Sequence, residues 1–198
     1  MKPLTVVCCS VLRREMGRIL EEDLPGAEAV FLDSMLHMHP EELRRAIDAV
    51  LAARTDRRIL LVYGDCHARM AETCRQPRRA RTAAVNCGEL LLGRERYREC
   101  RNGRAFLFLP EWTQRWREVF VRELGFTDRS LAREFMQENQ RRLAYLDTGL
   151  IPVPEPVLAE IADYFGMPVE IVAVTLVNLR QAVRDAARRL EAEGEDGD

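Results

Sequence analysis

Six cysteines and three histidines carry the chemistry open to this sequence, and their positions matter more than their number. They are Cys8, Cys9, Cys66, Cys74, Cys87 and Cys100, with His37, His39 and His67. Thiolate and imidazole are soft and borderline ligands that bind zinc or an iron–sulfur cluster. A thiolate is also the species that attacks electrophiles. In a reducing compartment such cysteines read as free thiols, metal ligands or catalytic groups, not as disulfides. The remaining polar features are plainer. Arg69, Arg75, Arg78, Arg79 and Arg81 could cradle an anion, but read first as a solvated face. Trp112 and Trp116 have the spacing of a core helix face. Asp147-Thr148-Gly149 reads as a turn. The chain has no phosphate-binding glycine loop, nucleophile elbow or dinucleotide fingerprint.

The elements that must position these groups follow from hydrophobic pattern. Leu4–Cys9 (LTVVCC) is an apolar, β-branched run expected of a strand buried on both faces. Ser10 is expected to cap a helix from about Val11 to Asp23, and Pro25-Gly26 breaks the chain. Ala27–Asp33 reads as a second strand. His37-Met38-His39-Pro40 is a loop entering a helix, with Pro40 in its first turn and Glu41-Glu42 at the positive end of its dipole. Arg58–Gly64 reads as a third strand, followed by Asp65, Cys66 and His67 at the start of a short helix. Thr82–Asn86 is expected as a fourth strand, with Cys87 opening the next helix, and Arg104–Leu109 as a fifth. Helices are expected over Glu111–Glu123, Ser130–Arg142, Pro156–Phe165 and Glu170–Glu191. Strands alternating with helices imply an α/β fold. The expectation is a predominantly parallel sheet of four to five strands, with helices on both faces and a mostly helical C-terminal part.

Right-handed crossovers place every strand's carboxyl end on one edge of such a sheet, where ligands bind. Cys8 and Cys9 then end the first strand, His37 and His39 follow the second, Cys66 and His67 the third, and Cys87 the fourth. Cys66 and Cys87 would also lie at helix N-termini, where backbone N–H groups lower a thiol's pKa. Cys8 reads as a small buried hydrophobe, His39 as a helix-start residue and His67 as an exposed loop residue. His37 stays open between ligand and loop. Cys74 and Cys100 fall outside the pattern.

At these same residues the chain resembles an uncharacterised family, domain of unknown function 1638. The likeness is carried in order by Cys9 with Glu15, by His37-Met38-His39-Pro40, by Tyr63-Gly64-Asp65-Cys66, and by Asn86-Cys87 with Leu91-Leu92-Gly93. It continues through Glu111-Trp112 and Tyr145-Leu146-Asp147-Thr148-Gly149. The resemblance implies that Cys9, Cys66 and Cys87 are the family's three thiols and His37 its loop histidine. It also implies a link to corrinoid-dependent methyl transfer, hence to metal, one-carbon or sulfur chemistry. The chain departs from the family at His67-Ala68-Arg69-Met70, which replaces a glycine-rich stretch, and at Asn86, which replaces an Asp.

Together these readings give a metal site in which Cys9, Cys66 and Cys87 hold zinc or an iron–sulfur cluster, which the spacing does not distinguish. His37 is the candidate fourth ligand, with His39, His67, Cys8 or an exogenous group as alternatives. Three thiolates and a histidine would close a structural zinc site, whereas an open fourth position would suit a catalytic metal or a cluster with one free iron. Two rival readings are a metal-free thiol enzyme or sulfur carrier, and a non-enzymatic module binding a small anion or a partner protein. Whether the site is enzymatic stays open.

Composition narrows the setting. The 198 residues are 47% hydrophobic and 31% charged with a net charge of −2. That excludes a disordered chain and argues against a nucleic-acid partner. No apolar run approaches the roughly 20 residues of a membrane span. The first residues run directly into Arg13, Arg14 and Glu15 and lack a cleavage site, so they read as a strand rather than a signal peptide. A cytoplasmic protein that acts on a small molecule or a partner protein is expected. The expected layout is an α/β domain over 1–150, a helical extension over 151–191 and an acidic tail over 192–198.

Overall fold

A computed structural model describes residues 2–195. The chain alternates strands and helices throughout: β1 (Leu4–Cys9), α1 (Arg13–Asp23), β2 (Glu28–Leu32), α2 (Pro40–Ala52), β3 (Arg58–Val62), α3 (Met70–Thr73), β4 (Arg79–Arg81), α4 (Cys87–Leu92) and α5 (Arg94–Asn102). Then come β5 (Ala105–Phe108), α6 (Pro110–Gln114), α7 (Arg129–Asn139), β6 (Arg142–Asp147), α8 (Glu155–Phe165), β7 (Val169–Ala173) and α9 (Val177–Glu195). Every strand pairing is parallel. The strands form two sheets, one ordered β2-β1-β3-β4 and the other β5-β6-β7. The fold is therefore α/β with parallel-only sheets and a C-terminal helix. The acidic tail expected over 192–198 ends, at 196–198, outside the described residues.

Two compact units result. One runs to Leu91 and resumes at Leu176; the other is Leu92–Thr175. In the first, Val6, Val7, Leu60 and Leu61 are fully buried. Consecutive residues of a strand point to opposite faces, so both faces of its sheet are covered. α9 supplies part of that cover, packing against β3 and β4 through Leu179, Val183, Ala186 and Leu190, which recur at helical spacing. Arg180 and Arg184 tie it to Glu22 and Asp23 at the end of α1. The second unit has an aromatic core, with Phe108, Phe120 and Phe165 buried and their rings 5.0–5.7 Å apart in consecutive pairs.

Three expectations shift. The fourth strand is Arg79–Arg81, not Thr82–Asn86. A three-residue edge strand with two arginines has no hydrophobic signature, and charge on an edge strand discourages pairing with other chains. The fifth strand, β5, joins β6 and β7 in the second sheet. Those two strands lie partly inside segments expected as helix. The helix expected from Glu170 starts at Val177. No helix among the described residues is long and apolar enough to cross a membrane.

Candidate functional site

The carboxyl edge of the four-stranded sheet begins where β1 and β3 end. Their register runs through Cys8–Val62, so Tyr63 comes next beside Cys9. Past it the chain makes a close backbone contact that only glycine allows. A Cβ on Gly64 would lie 2.3 Å from the Val85 carbonyl oxygen, and the neighbouring Asp65 N–H donates to that same carbonyl at 3.0 Å. Thr82 fixes the strand end, donating its hydroxyl to the Tyr63 carbonyl at 3.0 Å. The loop carrying Cys66 is thus clamped onto the loop that precedes Cys87.

Cys87 is the first residue of α4. The helix start is held by Asn86, whose Oδ1 accepts from the Glu89 N–H at 3.0 Å, while Glu89 Oε2 accepts from the Val85 N–H at 2.6 Å. This reciprocal arrangement resembles a capping box. On the other side, Ser10 does not cap α1. Its hydroxyl accepts from the Ser34 N–H at 2.8 Å, joining the turn after β1 to the turn after β2. Glu15 is fully buried in the first turn of α1.

These elements bring three of the expected ligands together. Cys87 shares a side-chain hydrogen bond with Cys9, and the charges of Cys66 and Cys8 also act on it. Cys9 and Cys8 are buried; Cys66 and Cys87 are half-buried. The hydrogen bond to Cys9, followed by burial, raises the Cys87 thiol well above its ordinary pKa. Burial pushes Cys66 up to about 11, outweighing the hydrogen bond it accepts from the Gly64 backbone. Cys8 is raised by burial as well, and its thiol donates to the Cys9 carbonyl at 3.3 Å.

This corrects the expectation of thiols acidified at helix starts. Cys66 lies in a loop, and α3 begins only at Met70. Cys87 does open a helix, but burial and the neighbouring sulfur dominate there. At neutral pH both thiols are protonated.

The histidines part company. His37 lies at the same sheet edge, on the turn Ser34–Met38 after β2, exposed on one side. The protein packed against it favours the neutral ring. His39 is exposed and is the N-cap position of α2. His67 is buried at 6% exposure rather than exposed. Its Nδ1 accepts from the Arg69 N–H at 3.2 Å, so in the neutral ring the proton lies on Nε2. The charges around it belong to α2: Asp48, Arg44 and Glu41. In that tautomer Nε2 is a hydrogen-bond donor, and it is buried without a partner among the described residues.

The other candidates fall outside the cluster. Cys74 feels Arg81, Arg79 and Arg189, and Cys100 is buried on α5 in the second unit. Arg69 and Arg75 are exposed. Arg81 is the exception in its group, paired with Asp65 at 2.8 Å and close enough to act on Cys66. Asp147 ends β6, and its carboxylate accepts from the Gly149 N–H, as in a turn. Among the described residues, no three His, Cys, Asp or Glu side chains already stand in metal-binding geometry.

Tyr63 is the residue that sequence pattern left out of the site. It is 1% exposed, and its hydroxyl has no hydrogen-bond partner among the described residues. Burial raises its phenol pKa first, and it lies near enough to Cys9, Cys8, Cys87 and Cys66 for their ionised forms to raise it further. In the sequence it stands only as the first residue of the Tyr63-Gly64-Asp65-Cys66 likeness, at a strand end, with no role assigned to it.

No curated protein and no solved structure matches the chain. A family model described as protein of unknown function (DUF1638) matches residues 31–183, most of the sequence. The matched span holds Tyr63, Cys66 and Cys87, and the chain belongs to this family.

Proposed function

We propose that this is a cytoplasmic metal-site protein that binds zinc or an iron–sulfur cluster through Cys9, Cys66 and Cys87 at the carboxyl edge of its four-stranded sheet. The observation that carries the reading is the meeting of these thiols. They come from three separate segments, and Cys87 is hydrogen-bonded to Cys9 while feeling Cys66. A soft ion is the ligand for such a donor set. Because no ligand triad is already in place, closing on an ion requires at least one cysteine to turn about χ1, its single side-chain torsion to sulfur. His37, with its ring favoured neutral at the same edge, is the candidate fourth ligand. The edge would receive a small molecule or a partner protein.

The raised thiols weigh against the metal-free nucleophile, which needs a thiolate near neutral pH. Metal binding needs no such acidity, because the ion itself displaces the protons. The test is metal content and visible absorbance of anaerobically purified protein. We expect either stoichiometric zinc in a colourless sample, or iron and sulfide with a visible band bleached by dithionite. Cys9→Ser, Cys66→Ser and Cys87→Ser should each lose the metal, whereas Cys74→Ser and Cys100→Ser should keep it. Wild-type protein that neither carries a metal nor takes one up on reconstitution would overturn the proposal.

A further inference from the structure

A buried hydroxyl without a partner is costly, and Tyr63 carries one on a side chain near enough to Cys9, Cys8, Cys87 and Cys66 to interact with them electrostatically. Its backbone is held in place by Thr82 and by the close contact of its neighbour Gly64 with Val85. Tyr63 follows the last ladder pair, Cys8–Val62, which places it beside Cys9 on the adjacent strand. Residues level with each other on neighbouring strands leave the sheet on the same face. A neutral thiol is a weak acceptor, and Cys8 and Cys87 direct their own S–H groups elsewhere, to the Cys9 carbonyl and the Cys9 sulfur. A metal-bound thiolate, by contrast, carries full negative charge and accepts strongly.

We infer that Tyr63 is a positioning residue of the metal centre, its phenol donating a hydrogen bond to the Cys9 thiolate once that sulfur is bound to an ion. The inference rests on the metal-site reading above and adds an outer-shell partner to it. Such partners orient the ligand and tune the metal, and their loss typically costs about 10–100-fold in affinity. The arrangement also makes the phenol's contribution conditional. It is unsatisfied while the thiols are protonated and satisfied when the ion is held.

Tyr63→Phe removes the hydroxyl and little else. The probe is Co(II), with affinity measured by chelator competition and the thiolate-to-metal charge-transfer band recorded. The urea midpoint of the metal-free protein is measured alongside. We expect Tyr63→Phe to bind Co(II) about 10–100-fold more weakly and its charge-transfer band to move to lower energy, because the sulfur loses a donor. The metal-free variant should unfold at the same or a higher urea concentration than wild type. Equal affinity and an unmoved band in the variant, with wild type binding normally, would overturn the role of Tyr63 and leave the metal site standing. A parallel fall in affinity and metal-free stability, without a band shift, would make Tyr63 a packing residue only. Wild type that binds no Co(II) would instead remove the metal-site reading, and this inference with it.

Discussion

Burial holds the proton on Cys66, and the hydrogen bond to Cys9 together with burial holds it on Cys87; two opposite pH dependences follow. A metal-bound cysteine must lose its proton, and Cys66 holds its proton up to about 11 while Cys87 is also raised. Each such thiol therefore releases a proton on binding at neutral pH. The logarithm of the affinity should rise by about one per pH unit for each of them, still rising at pH 9. The metal-free protein should behave in the opposite sense. A folded-state pKa above the unfolded value stabilises the fold below the ordinary thiol value of 9.0 and loses that contribution as pH climbs toward about 11. Chelator competition from pH 6 to 9 and urea midpoints from pH 8 to 11 measure the two trends. An affinity flat with pH would mean that the bound sulfurs were already ionised. Of this site, the thiols and the sheet edge they share were legible in the sequence, because parallel topology gathers strand ends wherever the residues lie. Tyr63 was not, because the burial of a phenol depends on packing that no spacing records.

At the scale of elements, the cluster depends on two loops that the sheet does not itself hold together. Gly64 permits their contact, and Asn86 with Glu89 fixes the start of α4 that presents Cys87. Gly64→Ala forces a methyl group to 2.3 Å from the Val85 carbonyl, and backbone must yield. We expect a loss of about 1–3 kcal/mol or more, read as a lower urea midpoint, with faster alkylation of Cys66 and Cys87 as the loops part. Asn86→Ala should cost about 1 kcal/mol, the usual value of a lost cap, and weaken metal binding without unfolding the sheet. The same elements explain what pattern could reach. β1 and β3 are continuous apolar runs because both of their faces are covered, and they read clearly. β4 carries Arg79, Ala80 and Arg81, and nothing in that triplet marks a strand. The Asn86-x-x-Glu89 signature was present, but the segment before it was assigned to a strand, so its capping role was hidden. β6 follows α7 with only Gln140 and Arg141 between them, and an apolar run so close behind a helix reads as its continuation.

The largest scale is the chain's path between its two units. The thiol cluster belongs to the unit that starts the chain, yet that unit is completed by α9 from the other terminus. Leu179, Val183 and Leu190 are fully or almost fully buried, and each such side chain stabilises by about 1.5–3 kcal/mol. Arg189 adds a hydrogen bond to the Arg81 carbonyl at 2.7 Å, on the strand next to β3. Three such side chains together approach the about 5–15 kcal/mol by which whole domains are stable. A chain ending at Thr175 should therefore lose the ordered first unit, although every candidate ligand is still present. The intervening unit, Leu92–Thr175, is continuous in sequence and needs nothing from α9 to close its own sheet, β5-β6-β7. Limited proteolysis of the truncated chain should leave a resistant fragment close to residues 92–175, while Cys9, Cys66 and Cys87 react with a thiol reagent as fast as in urea. Supplying α9 as a separate peptide should slow that reaction again if the helix acts by packing. A truncated chain that kept its thiols protected and still bound metal would show that the first unit closes over β3 and β4 without its last helix.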